Sequence, residues 1–156
     1  MSSGGAPTLD LSGTSHLSVG IAVTLWNGEI LDALQAGAMR ALAEAGISDP
    51  TLVRVPGAFE LPLAAQALAA HHDVVVALGA VIRGGTPHFD YVCTAATDGL
   101  LRVSLDTGKP VGFGVLTCDT EEQAWARAGV DGSTEDKGFD VTAAALLTAV
   151  ALGGLG

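Results

Sequence analysis

The chain has 156 residues, a length typical of one domain, and 49% of them are hydrophobic whereas only 15% are charged. This composition excludes intrinsic disorder, which requires low hydropathy and high charge. The 7 basic residues against 17 acidic ones give a formal charge of -10, which argues against nucleic-acid binding, and so few charges lead us to expect a surface that is partly buried against copies of the same chain.

The N-terminal segment and the cysteines predict a cytoplasmic protein. Residues 1–16 are rich in Ser, Gly and Thr, which predicts a flexible arm before a domain over 17–156. The arm lacks the pattern of a signal peptide, and the longest uncharged stretch, 141–156, is shorter than the roughly 20 residues of a membrane span, so we expect no membrane contact. Cys93 and Cys118 have no metal or redox spacing, and we interpret them as small buried thiols in a reducing compartment.

Strands and helices are predicted to alternate from residue 17 onward. Runs of apolar and β-branched residues predict strands at 17–25, 51–55, 74–82 and 111–117. Helical spacing of apolar residues predicts helices at 28–45, 60–71, 88–105, 120–128 and 137–152, the last after a polar loop at 129–136. Asn27 is placed to cap the first helix, and Asp119–Thr120 the fourth.

The run at 74–82 is continuously apolar, which is typical of a central strand covered on both faces of a parallel sheet. Right-handed crossovers between the four β–α units place helices on both faces. The sequence therefore predicts an α/β fold, a three-layer α/β/α sandwich around a four-stranded parallel sheet. Ligands of such sheets bind beyond the carboxyl ends of the strands, so the residues there are the candidates for a functional site.

The strongest local signal is the glycine loop, Gly84, Gly85 and Thr86, which leads into a predicted helix. Two glycines permit positive φ angles that would turn backbone N–H groups inward, and a helix N-terminus favours an anion. His88 lies in the first turn of that helix, where the dipole disfavours imidazolium, so we expect a neutral ring that accepts protons. An ordinary glycine turn with a structural histidine is the alternative.

Three aromatic residues and one carboxylate stand near the other strand ends. Trp26, Phe59 and Phe113 lie beside strand ends or glycines, where they are placed either to stack on a flat heterocycle or to pack in the core. Glu60 follows Phe59 in a first helical turn, where its carboxylate is able to accept hydrogen bonds from ring N–H or hydroxyl groups.

Basic residues are scarce, so the two that flank the polar loop stand out. We interpret Arg127 and Lys137 either as phosphate partners or as surface charges. The triplet His71–Asp73 lacks a third spaced ligand, and we predict no metal site. The G-x-S-x-G and P-loop motifs are absent, and the G-x-G at 112–114 lies within a predicted strand, which argues against a dinucleotide fingerprint.

Long segments of the chain resemble the 6,7-dimethyl-8-ribityllumazine synthase family. They occur in order over about residues 17–152 as VPGAFELP at 55–62, LGAVIRGGTPHFDYV at 78–92, GVLT at 114–117, EEQA at 121–124, RAG at 127–129 and KG at 137–138. The resemblance implies a flavodoxin-like fold and a transferase that needs no metal or cofactor. That enzyme condenses 5-amino-6-(D-ribitylamino)uracil with 3,4-dihydroxy-2-butanone 4-phosphate through a Schiff base and phosphate elimination, the penultimate step of riboflavin biosynthesis.

The resemblance also implies roles for single residues. By position, Trp26 would stack on the pyrimidine and His88 would transfer protons. Residues implied to bind the ring and the ribityl chain are Ala58, Phe59, Glu60, Ala80, Val81 and Ile82. Residues implied at the phosphate are Gly85, Thr86 and Arg127, with Phe113 lining the site and Lys137 near its anionic end. The family forms pentamers or sixty-subunit shells with sites between subunits, and the length of 130–136 favours a pentamer here.

Three other functions fit parts of the pattern. A flavin-binding, flavodoxin-like module without this catalysis would use the glycine loop for a flavin phosphate. A shell or binding protein that had lost catalysis would not need Glu60, His88, Arg127 and Lys137 together. A riboflavin synthase, as in some archaeal relatives of this fold, would consume the lumazine.

Overall fold

A computed structural model describes residues 5–155, so positions 1–4 of the predicted arm and Gly156 lie outside the described residues. Its four strands are β1 (Val19–Thr24), β2 (Thr51–Val55), β3 (Val74–Ile82) and β4 (Val111–Cys118). All pair in parallel in the order β2-β1-β3-β4. The predicted parallel sheet and the central position of β3 are therefore confirmed.

The helices are α1 (Gly28–Ala45), α2 (Leu61–Ala69), α3 (His88–Thr107), α4 (Glu121–Trp125) and α5 (Lys137–Gly153). A 3-10 turn over Ala58–Glu60 occupies the predicted start of the second helix, and the fourth helix ends earlier than expected. Thr120 caps α4 as predicted, since its hydroxyl accepts the N–H of Gln123.

The helices cover both faces of the sheet, which confirms the three-layer sandwich. One apolar cluster joins α1 and α5 to one face, where Ile21, Val76 and Leu78 are fully buried. The other joins α2 and α3 to the opposite face, around Ala22 and Ala77. The alternation of side chains along β1 and β3 supplies both clusters, because successive residues of a strand point to opposite faces. Within 5–155, no helix has the length and apolar character needed to cross a bilayer.

Part of the N-terminal segment is packed rather than free. Leu11 is 3% exposed and joins the cluster beneath α1 and α5, and the buried Thr14 donates its hydroxyl to the Leu11 carbonyl at 2.7 Å. Composition predicts a flexible arm over 1–16 and does not reveal this contact, because a single buried leucine hardly changes the polar composition of the segment.

Candidate functional site

The carboxyl ends of β1, β2 and β3 and the start of α3 enclose a cleft of about 500 Å³, here named the indole cleft. Its lining is Trp26, Asn27, Gly57, Ala58, Phe59, Glu60, Ala80, Val81, Ile82, His88 and Val92. Most of the residues predicted for the site therefore share one cleft, at the edge of the sheet where parallel topology concentrates ligand sites.

A backbone hydrogen bond between neighbouring strand ends fixes the position of the Trp26 main chain. The backbone N–H of Trp26 donates to the Pro56 carbonyl at 3.2 Å, and this bond joins the residues after β1 to those after β2. A Cβ atom at Gly57 would lie 3.4 Å from Cδ1 of Trp26, an ordinary van der Waals distance, so the indole lies directly against Gly57. The exposed fractions of Trp26 and Phe59 are 74% and 66%, which does not fit the core-packing alternative for these two rings.

Asn27 has a different role from the helix cap predicted for it. Its backbone adopts the left-handed conformation at φ 58 and ψ 49, and its side chain makes no cap hydrogen bond. The side-chain amide instead donates to the Ala80 carbonyl at 3.1 Å and ties the end of β1 to β3. Asparagine tolerates this conformation better than most residues, and that is the sequence signal that could have marked it as a cleft residue.

His88 is the first residue of α3 and its side chain is exposed on the cleft wall. The next residue, Phe89, is buried and fixes the start of the helix against the sheet. The imidazole therefore stands on a rigid helix end and faces the same space as the indole of Trp26.

The glycine loop lies beside the indole cleft and outside its lining. Gly84, Gly85 and Thr86 are exposed, and neither glycine adopts the positive φ that the sequence permits here. Pro87 already has right-handed helical backbone angles, so the loop joins α3 without a residue in the left-handed conformation. Thr86 Oγ1 accepts the N–H of His88 at 3.4 Å, a hydrogen bond at the entrance of α3.

Phe113, Arg127 and Lys137 lie elsewhere, in a second cavity of about 550 Å³ along β4, here named the β4 groove. Its other walls include the end of β4 at Thr117 and Cys118. Within one subunit the residues predicted for the site are thus divided between two cavities, and Gly85 and Thr86 of the glycine loop line neither. The sequence places Arg127 and Lys137 beside the polar loop 129–136 and the other candidates near strand ends or glycines, and this does not reveal the division.

The two cations of the β4 groove share one carboxylate. Glu135, whose side chain is only 10% exposed, lies 3.5 Å from Nε of Arg127 and 3.1 Å from Nζ of Lys137. Arg127 also donates from Nη1 to the Gln123 carbonyl at 2.9 Å. Arg127, Lys137 and Glu135 together carry one net positive charge. The two cations retain further N–H donors, so the arrangement suits the binding of an anion. Glu135 was missed because only the fold of 129–136 brings it to these cations.

Two further groups of this region titrate abnormally. Burial raises the pKa of the Cys118 thiol, which fits the predicted buried cysteine, whereas Cys93 is only partly buried. Burial, followed by the negative charge of Asp136, raises the pKa of the Asp140 carboxyl, and Lys137 opposes that rise. Across the described part of the chain, no three His, Cys, Asp or Glu side chains cluster as metal ligands.

Comparison with known proteins identifies the chain's relatives. The family model described as 6,7-dimethyl-8-ribityllumazine synthase matches residues 16–152. Proteins described by the same name are similar over nearly their full length. That of Paenarthrobacter aurescens (strain TC1) is 61% identical, with 97% of this chain and 98% of the relative covered. Those of Streptomyces coelicolor and a Nocardioides species are 57% and 59% identical, with 97% and 100% of this chain and 95% and 98% of the relatives covered.

Proposed function

Since the chain belongs to the 6,7-dimethyl-8-ribityllumazine synthase family and is an enzyme of the penultimate step of riboflavin biosynthesis, we propose that the indole cleft and the β4 groove are two halves of one active site. The reaction condenses 5-amino-6-(D-ribitylamino)uracil with 3,4-dihydroxy-2-butanone 4-phosphate and releases phosphate and water. One reactant is a flat heterocycle and the other carries an anion, so the site needs both a stacking surface and positive charge.

The division of these features between two cavities carries the proposal. The indole cleft offers exposed rings, backbone groups and His88, but its lining contains neither lysine nor arginine. The β4 groove offers Arg127 and Lys137 beside Phe113. We propose that the groove of one subunit faces the cleft of its neighbour in the oligomer, so that each site takes residues from two chains.

Exposed apolar side chains support association between subunits. Leu63 of α2 and Tyr91, Leu101 and Leu105 of α3 are 58% to 75% exposed on one side of the molecule. A surface of this kind is typical of a protein–protein contact. We propose a homopentamer, with a sixty-subunit shell as the larger assembly that the family also forms, and a reducing cytoplasm as its compartment.

In the proposed site the pyrimidine stacks on Trp26, flanked by Phe59. Glu60 and the backbone of Ala58 bind polar groups of the ring and the ribityl chain, together with Ala80, Val81 and Ile82. Gly85 and Thr86 hold the phosphate with Arg127 of the neighbouring subunit, and Lys137 lies near the same anionic end. Both charged residues would come from the neighbouring chain and the uncharged Gly85 and Thr86 from the first, so the phosphorylated reactant would be fixed only in the assembled oligomer.

The chemistry then needs little beyond positioning and proton transfer. The 5-amino group of the uracil attacks the butanone carbonyl, and water leaves as the Schiff base forms. Phosphate is then eliminated, and the ribitylamino nitrogen closes the ring on the ketone that the elimination generates, with loss of a second water. His88 is placed to move protons during these steps, which contributes about 10² to 10⁴-fold in rate. Holding two small reactants together supplies up to about 7 to 11 kcal/mol of the barrier.

The direct test mixes the two substrates with purified protein and follows the absorbance of the lumazine, while light scattering gives the mass of the assembly. We expect lumazine formation by a species of at least five subunits. A protein that retains bound flavin and does not convert the uracil would be a flavin-binding module and would overturn the proposal. Catalysis by a monomer would overturn the two-subunit site alone.

A further inference from the structure

The glycine loop has few contacts of its own. A Cβ atom built on Gly84 or Gly85 would meet no described atom within 4 Å outside the adjacent residues, and Thr86 is exposed. The backbone position of the loop therefore depends on the residues that flank it. If the loop is to hold a phosphate, those flanking residues must fix its geometry.

Arg83 anchors the loop on its N-terminal side through four contacts. Its backbone N–H donates to the Cys118 carbonyl at 2.9 Å, and its Nε donates to Asp119 Oδ1 at 2.8 Å. Its Nη1 donates to Asp90 Oδ1 at 3.4 Å, and its guanidinium lies 4.4 Å from the ring centre of Phe89. One side chain thus joins the end of β4 to the first turn of α3, across the base of the loop.

We propose that Arg83 is a positioning residue for the phosphate-binding loop, an inference that rests on the proposed function of that loop. The side chain lies next to the loop and carries a positive charge, so a direct contact with phosphate is the rival reading. Two carboxylates already occupy its guanidinium, however, and offset its charge. Its contribution is therefore to hold the loop and the His88 helix end at a fixed separation from β4.

The two readings make opposite predictions for Asp119→Ala. If Arg83 binds phosphate directly, removing Asp119 frees the guanidinium and deletes a nearby negative charge, so phosphate should bind more tightly. If Arg83 positions the loop, removing Asp119 breaks the side-chain hydrogen bond that connects Arg83 to the end of β4. Phosphate binding should then weaken, although the site becomes more positive. The side-chain contact recorded for Asp119 is the one with Arg83, so the variant tests that link.

The experiment measures KM for both substrates, kcat and the melting temperature of Arg83→Ala, Asp119→Ala and Arg102→Ala. Arg102 pairs with Asp106 on the exposed face of α3, so its variant removes the same charge and a similar pair away from the loop. We expect the first two variants to raise KM for the butanone phosphate about tenfold, below the roughly 10²-fold of a 1 Å misplacement. KM for the uracil and the melting temperature should change little, because an exposed ion pair adds at most about 1 kcal/mol to stability.

The control should match the unmodified protein in every measurement. An unchanged or lower KM for the butanone phosphate in Asp119→Ala, or an unchanged one in Arg83→Ala, would overturn the positioning role. So would an equal rise in KM for both substrates or a large loss of thermal stability, since each indicates a general structural role. Failure of the unmodified protein to form lumazine would instead overturn the proposed function, so the two failures are distinguishable.

Discussion

The indole cleft and the β4 groove differ in the forces that each can apply to a ligand. The cleft presents two exposed aromatic rings, backbone groups and one imidazole, and its lining contains neither lysine nor arginine. The groove holds Arg127 and Lys137 on a shared, nearly buried Glu135. The first region suits a flat heterocycle and proton transfer, whereas the second suits an anion.

This difference indicates that neither region of a single subunit has all the groups needed for a reaction that joins a heterocycle to a phosphorylated sugar. Stacking alone would not hold the anion, and the cations of the groove have no heterocycle surface except Phe113 beside them. In the proposed arrangement, oligomerisation would be part of catalysis rather than only a source of stability, because symmetric copies would bring the two regions together at every interface.

The greatest loss of activity is expected from His88, the residue proposed to transfer protons in the cleft. His88→Ala should lower kcat by about 10²-fold or more, because a positioned proton-transfer group contributes about 10² to 10⁴-fold. KM for the butanone phosphate should change little, since the phosphate is held by other groups. His71→Ala is a matched control on an exposed histidine at the end of α2. Steady-state kinetics would contradict this role if kcat and KM deteriorated to the same extent.

The next prediction tests whether the two regions belong to different subunits. Co-expression of His88→Ala chains with Arg127→Ala chains should restore about one quarter of the wild-type sites, because random mixing pairs an intact cleft with an intact groove that often. Either variant alone should stay impaired. As a control, His88→Ala chains are mixed with chains that carry both His88→Ala and Arg127→Ala. No activity should be recovered there, because no chain has an intact cleft. A mixed oligomer whose activity does not exceed the average of the two parents would show that each site lies within one chain.

The sequence predicts the residues of the cleft well because a simple topological rule applies there. Parallel strands end at one edge of the sheet, so Trp26, Glu60 and His88, each just beyond a strand, meet in one cleft. The family and the fold expected from the motifs are confirmed. The roles of the individual residues stay predictions.

Features that depend on tertiary contacts could not be predicted in this way. The bridge between Ala128 and Asp136 folds the polar loop back and brings Glu135 to Arg127, a pairing that sequence spacing does not reveal. The conformation of Gly85 also escaped prediction, because glycine permits a positive φ without requiring one. Composition likewise gave no sign that Leu11 is buried.

A smaller effect is expected from the groove, where Arg127 is proposed to contribute phosphate binding rather than proton transfer. Arg127→Ala should raise KM for the butanone phosphate about tenfold or more, since a hydrogen bond to a charged group contributes about 1.5 to 3 kcal/mol. The change in kcat should be smaller than that for His88→Ala. Arg127→Lys should recover part of the affinity, because lysine keeps the charge and loses the planar donor set. Initial rates at varied butanone phosphate check this, and an unchanged KM would remove Arg127 from the site.

The smallest effect concerns the carboxylate of Asp140 in α5, whose charge interacts with that of Lys137. The pKa of Asp140 is raised above 3.8 by burial and by Asp136, so the folded state holds this proton more tightly than the unfolded state does. Ionisation therefore lowers stability as pH rises through the raised value, and the cost is absent below the ordinary pKa. Asp140→Asn should raise the free energy of unfolding at neutral pH, by less than about 1 kcal/mol for a partly exposed group, and change nothing near about pH 3. Denaturant titrations at both pH values, with the exposed Asp98→Asn as control, test this sign; a loss of stability at neutral pH would show that the ionised carboxylate instead stabilises Lys137 in the groove.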